Sequence, residues 1–289
     1  MNKYKTILAI AAVLILVIAA LPILFSFYQE YTSRQSIQND LNSTNNGPAP
    51  TQTSLPSVVS TGITWGYDGT KWSNSGKQLQ CPSPFFSLLP VDINKVSGIL
   101  YPGQVRGNDF KAHGGFRFDK NPDNAIRVQL PIDAHLWRGS RYIESGEVQY
   151  ILDFIAPCGI LIRFDHLLTL SPEFMSIVEA DLPVAKENES RTYFFKTQRF
   201  YNSGTVIASE VGFKKTKNVS LDFGVYDLRQ QNEASQNSTW ASKYSSKKET
   251  AYYGICWLNE IAQNDKRILL SLDGFGVEGI TSDYCKDNN

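Results

Sequence analysis

The stretch from Lys111 to Asp119 reads KAHGGFRFD and holds one of the chain's three histidines beside a Gly-Gly pair. An alternating run comes next, Phe116-Arg117-Phe118-Asp119, the pattern of a half-buried strand. Imidazole nitrogen and carboxylate oxygen both suit a zinc ion, and a strand holds such ligands rigidly. The position four after His113 is Arg117, a fixed cation that opposes metal binding at a neighbouring ligand. Asp119 shares a strand face with Arg117 and offers a carboxylate one step further on. The other histidines are His135, read as a packing or surface residue, and His166, whose ring can serve as an acid or a base.

Such residues need a scaffold, and the chain supplies short strands. Between Ser97 and Arg229 alternating runs such as AIRVQLP, EVQYILDFI, GILIRFDHLLTL and VSLDFGVYDLR are separated by turn residues. No helix of ordinary length is expected among them. The pattern predicts a mainly β fold, an antiparallel barrel or sandwich. WGYDGTKW, from Trp65, reads as a hairpin at its start. Residues 65–230 are taken as the β domain. Residues 231–289 are taken as a polar loop, QQNEASQNSTWASKYSSKKET at its heart, and a tail docked on the β core. CWLNEIAQNDKRILLSL in that tail predicts two short helical pieces, the second capped by Asn264 or Asp265.

Thr6 to Tyr28 carries no charge and is mostly Ile, Leu, Val and Ala, with Lys3 and Lys5 before it. About 20 apolar residues span a bilayer as a helix. Residues 1–28 therefore read as an uncleaved signal-anchor that places the rest of the chain outside the cytoplasm. Residues 29–64 are rich in Ser, Thr, Asn, Gln and Pro and read as a flexible stalk. Lys+Arg and Asp+Glu both total 28, so no basic surface calls for a nucleic-acid partner.

Four cysteines, Cys81, Cys158, Cys256 and Cys285, lie in the expected outside portion. None has C-x-x-C spacing, so two disulfides are expected rather than a thiolate metal site. Three connectivities are possible. The nearest pair is Cys256 with Cys285, which leaves Cys81 with Cys158. N-x-S/T sequons begin at Asn42, Asn188, Asn218 and Asn237, and they count only where a host glycosylates asparagine.

In order and spacing the chain resembles the lysostaphin-type zinc endopeptidases of the duplicated hybrid motif fold. His113-Gly114-Gly115-Phe116-Arg117 stands where that family has His-x-x-x-Asp. VQLPIDAHLWRG resembles the turn and strand that come next in it. Phe164-Asp165-His166-Leu167 resembles its Tyr-x-His-Leu segment, and Gly204-Thr205-Val206-Ile207 its Gly-rich return. Ser220-Leu221-Asp222-Phe223 stands at its final His-x-His-Phe. The resemblance covers roughly residues 97–229. It implies zinc held by the first His, the Asp and the last His, with two further histidines assisting catalysis. Carried over, His113 and His166 survive. Arg117 and Asp222 replace two ligands, and Ser220 replaces a catalytic histidine.

Two ligand positions changed to opposite charges imply a vacated metal site at His113, Arg117 and Asp222, closed by an Arg117–Asp222 ion pair. His166 and Ser220 become vestigial positions. The expected function is then a non-catalytic, membrane-anchored domain that binds an envelope polymer or a cell-surface protein and needs no cofactor. The alternative is a zinc-dependent hydrolase with altered ligands, His113, Asp119 and Asp222.

Overall fold

Alternation of side chains along each strand decides the architecture. The computed structural model describes residues 64–286. The membrane helix read at residues 1–28, the stalk up to residue 63 and the sequon at Asn42 lie outside the described residues. Among those described, no helix is long and apolar enough to cross a membrane.

The strands are β1 Thr64–Tyr67, β2 Trp72–Ser75, β3 Gly98–Leu100, β4 Gln104–Arg106, β5 Asp109–Lys111, β6 Gly114–Arg117, β7 Val128–Gln129, β8 Ala134–Glu144, β9 Glu147–Ile155, β10 Ile160–Leu170, β11 Tyr193–Tyr201, β12 Val206–Val211 and β13 Ser220–Asp227. The fold is mainly β, with antiparallel ladders. One nine-stranded sheet runs in the order β11-β8-β9-β10-β13-β6-β3, with β12 against β10 and β7. Its path is open rather than closed like a barrel: among the described residues no ladder joins β11 to β3. β1 and β2 form the hairpin expected at Trp65.

Turn chemistry fixes the register of the longest pair. Glu144 lies opposite Glu147, so the β8–β9 loop is Ser145-Gly146 alone. Both residues have positive φ, 52° and 73°. That is the two-residue turn whose twist matches the flanking strands.

The sheet is covered on both faces, which is why β9 is buried along most of its length on both sides, Gln149 and Asp153 included. Leu152, Phe154, Ile162, Phe164, Phe223 and Val225 enter one core with Phe116 and Trp257. Ile155, Leu161 and Tyr226 point the other way, into an aromatic cluster with Trp65, Trp72, Trp137 and Phe110. On this second face Asp153 is fully buried between two arginines. Its carboxylate accepts from Arg163 Nε and Nη2 and from Arg138 Nε at 2.7–2.8 Å. Arg138 reaches on to Glu249 at 2.7 Å and so fastens the 231–254 segment to the sheet.

Three local expectations change. A helix, α1 (Pro172–Asp181), does interrupt the strands: Pro172 opens it after Ser171, and Phe174, Ile177 and Val178 form its buried stripe. The polar stretch after Gln230 is partly helical, as α2 (Ser238–Lys243) and α3 (Lys248–Ala251). In the tail a 3₁₀ turn, Trp257–Glu260, precedes α4 (Gln263–Leu270). Its N-cap is Ala262, without a side-chain cap bond, so Asn264 and Asp265 lie inside the first turn rather than capping it. Both disulfides join the pairs that spacing suggested, Cys81–Cys158 and Cys256–Cys285. The tail reaches the far edge of the sheet, where Phe275 N donates to Ile99 O at 2.8 Å.

Candidate functional site

The Gly-Gly pair beside His113 has a packing reason. A Cβ on Gly114 would stand 2.3 Å from Leu100 O, and one on Gly115 2.5 Å from Leu221 O. β6 is thus pressed between β3 and β13. The approach brings His113 to the edge of a pocket where β13 contributes Asp222.

The register overturns the expected Arg117–Asp222 pair. Arg117 lies opposite Ser220, and Gly115 lies opposite Asp222. The two charges share a face but are two residues apart along the ladder, roughly 6.8 Å at an antiparallel rise. Each takes a nearer partner. Arg117 binds both oxygens of Asp119 and the Asn218 side-chain oxygen, and it lies 4.2 Å over the Phe275 ring. Asp119 is further held by Ser97 and does not line the pocket, and neither do Arg117 and Ser220. A double-mutant cycle checks this: Arg117→Ala should be additive with Asp222→Ala and coupled to Asp119→Ala. Asp119 is 41% exposed, so the coupling should be about 0.2–1 kcal/mol.

Asp222 instead meets both surviving histidines. His113 Nε2 is 2.9 Å and His166 Nε2 3.6 Å from Asp222 Oδ2. The His113 contact lies close but is not aligned as a hydrogen bond, and among the described residues this buried nitrogen has no other partner. Burial alone would raise the Asp222 pKa. The neighbouring His113, His166 and Arg106 outweigh it and hold the carboxyl well below the usual carboxylate range. For His166 burial disfavours the charged ring, but Asp165, Asp222 and Glu144 prevail and raise its pKa. Arg106 is anchored beneath, donating to Tyr101 O and His113 O.

His166 reaches the pocket through a β-bulge. The β9–β10 register shifts between Phe164 and Leu167, and His166 has φ 61°, left-handed for a non-glycine residue. In a regular strand Asp165 and His166 would face opposite sides. The bulge turns both into the pocket, and Asp165 Oδ1 accepts from His166 N and from the Tyr142 hydroxyl, each at 2.7 Å. Burial and that carboxylate push the Tyr142 pKa far up. Lys111 and Glu144 complete the walls, with Asn188 and Ser190 at the rim.

Ligand atoms of Asp165, His166 and Asp222 lie within 4.8 Å of one another. Sequence reasoning finds His113, His166 and Asp222 but not Asp165 or Tyr142. His135 sits elsewhere, edge-on to Phe200. Compared with known proteins, the chain matches no family model, no curated protein and no solved structure.

Proposed function

We propose that the chain is a membrane-anchored, outward-facing binding module of lysostaphin-like architecture whose groove holds an envelope polymer or a cell-surface protein without cleaving it. One observation carries the reading. Of the two replaced ligand positions, Arg117 is turned away onto Asp119, and Asp222 is compensated by His113 and His166. The adjacency of β6 and β13, which bear the first and last motifs, supports the architecture. The two disulfides suit an oxidising exterior. The pocket presents Lys111, Glu144 and Asp165 to a polar ligand rather than an apolar cleft.

A specific observation favours a second reading, a zinc-dependent hydrolase with altered ligands. The buried Nε2 of His113 has no aligned hydrogen bond, and it converges with His166 Nε2 on Asp222 Oδ2. The residues whose ligand atoms lie within 4.8 Å of one another are Asp165, His166 and Asp222, donor types that suit zinc, and His113 stands beside that group rather than in it. Asp119, tied to Arg117 and Ser97, does not belong to that set. A bound zinc would supply a Lewis acid and an activated water. With His166 spent as a ligand, His113 is the histidine left in the pocket.

The two readings separate on metal and cleavage. Full-length protein purified with zinc present is expected to hold substoichiometric metal, to leave cross-linking peptides intact and to be retained by envelope fractions. Equimolar zinc that is lost in Asp222→Asn, together with cleavage, would replace the binding module by the hydrolase.

A further inference from the structure

We propose that Asn188 is an N-glycosylation site whose glycan stands over the groove. The site needs the outward orientation of the proposed binding module, and its consequence rests on the groove being where the ligand binds. Three sequons fall among the described residues, and the fold treats them differently. An acceptor needs a reachable amide nitrogen and a free hydroxyl two residues on.

Asn218-Val219-Ser220 fails on the hydroxyl, and its asparagine side chain is already engaged. Asn218 holds Arg117 through its side-chain oxygen, and Ser220 is 4% exposed at the start of β13. In Asn237-Ser238-Thr239 the asparagine oxygen caps α2, accepting from Trp240 N at 3.0 Å, and the next two residues are wound into the helix. Asn188-Glu189-Ser190 is open. Asn188 and Ser190 are both exposed, and the Asn188 side chain has no hydrogen bond among the described residues.

The backbone there is nonetheless fixed. Asn188 N donates to Ile143 O at 2.8 Å, and Ile143 N donates to Lys186 O at 2.9 Å. Asn188 has φ 56°, a left-handed position that asparagine tolerates well. Both Asn188 and Ser190 line the pocket that holds His166 and Asp222. In the transfer, Asn188 Nδ2 bonds to C1 of the first sugar. The bond from C1 to the phosphate oxygen of a lipid-linked saccharide donor breaks. The phosphate leaves with the electron pair, and Nδ2 loses one proton. A glycan is bulky and solvated, and one rooted at this rim would cover the way in to the two histidines.

Glycopeptide mass spectrometry on the full chain, isolated from its own membranes, tests the site. The Asn188 peptide should carry a saccharide and the Asn218 peptide none; an unmodified Asn188 peptide overturns the proposal. Shielding is read by diethyl pyrocarbonate labelling of His166, which needs no ligand and so stays readable if the envelope-binding function fails. Labelling should be several-fold faster in Asn188→Gln and in Ser190→Ala, the latter keeping Asn188 in its left-handed turn. Equal rates in the native protein and both variants would show that no glycan guards the groove.

Discussion

Asp153→Ala is expected to cost about 3–5 kcal/mol, enough to leave the domain largely unfolded near room temperature if its stability is ordinary. The carboxylate is inaccessible to solvent and is the shared partner of Arg138 and Arg163 on the flanking strands. Removing it leaves two guanidinium groups on a buried face with, among the described residues, one remaining carboxylate contact, Glu249. Burial alone would raise the Asp153 pKa, but the two arginines outweigh it and the pKa is lowered. A carboxylate with a depressed folded pKa stabilises fully above its unfolded value, about 3.9 for Asp, and that contribution is lost as pH falls through the folded value. Urea titrations of wild type should therefore show a midpoint that drops below about pH 4. Asp153→Ala should show a much lower midpoint at neutral pH and less of this acid step. An unchanged midpoint at neutral pH would mean that water reaches the arginines and the ladder is not a buried network.

Loss of the Cys81–Cys158 bond should be of similar size. The bond closes a span of 77 residues, against 29 for Cys256–Cys285. In the chain-entropy model this corresponds to about 4.5 kcal/mol against about 3.6 kcal/mol. The bond ties the segment after the β1–β2 hairpin to the β9–β10 turn, where Cys158 is 5% exposed. The double replacement Cys81→Ser, Cys158→Ser should lower the urea midpoint more than Cys256→Ser, Cys285→Ser. The reverse order would mean that native packing of the tail, not constraint of the unfolded chain, sets the ranking.

The strands are legible in the sequence because alternation and turn residues are local properties. EVQYILDFI and GILIRFDHLLTL, with turn residues around them, need no knowledge of the rest. The helix α1 carries its own signals, Ser171-Pro172 and the stripe Phe174, Ile177 and Val178. It escapes a reading by pattern because ten residues inside a long β run give a weak period. At the site, it is the family resemblance that points to His113, His166 and Asp222. It does not show that Arg117 and Asp222 fail to meet, since register is a property of two strands together and neither sequence states it. Asp165 and Tyr142 are hidden for another reason. Alternation assigns Asp165 to the face opposite His166, and only the bulge brings both to one side.

The contact between the tail and β3 bears on how the domain behaves among other molecules of its kind. A sheet that ends in an unpaired strand offers its free N–H and C=O groups to any neighbouring chain, and native proteins blunt such borders with charge, proline or a covering segment. Here Gly274 forms a parallel bridge to Ile99, Phe275 closes it with a backbone hydrogen bond, and Cys256–Cys285 holds both flanks of the segment in place. The opposite border, β11, is guarded differently: Asp181 accepts from the Lys196 backbone N–H and pairs with its ammonium group. The C-terminal addition therefore covers the β3 border, where strand-by-strand growth would otherwise find free backbone groups.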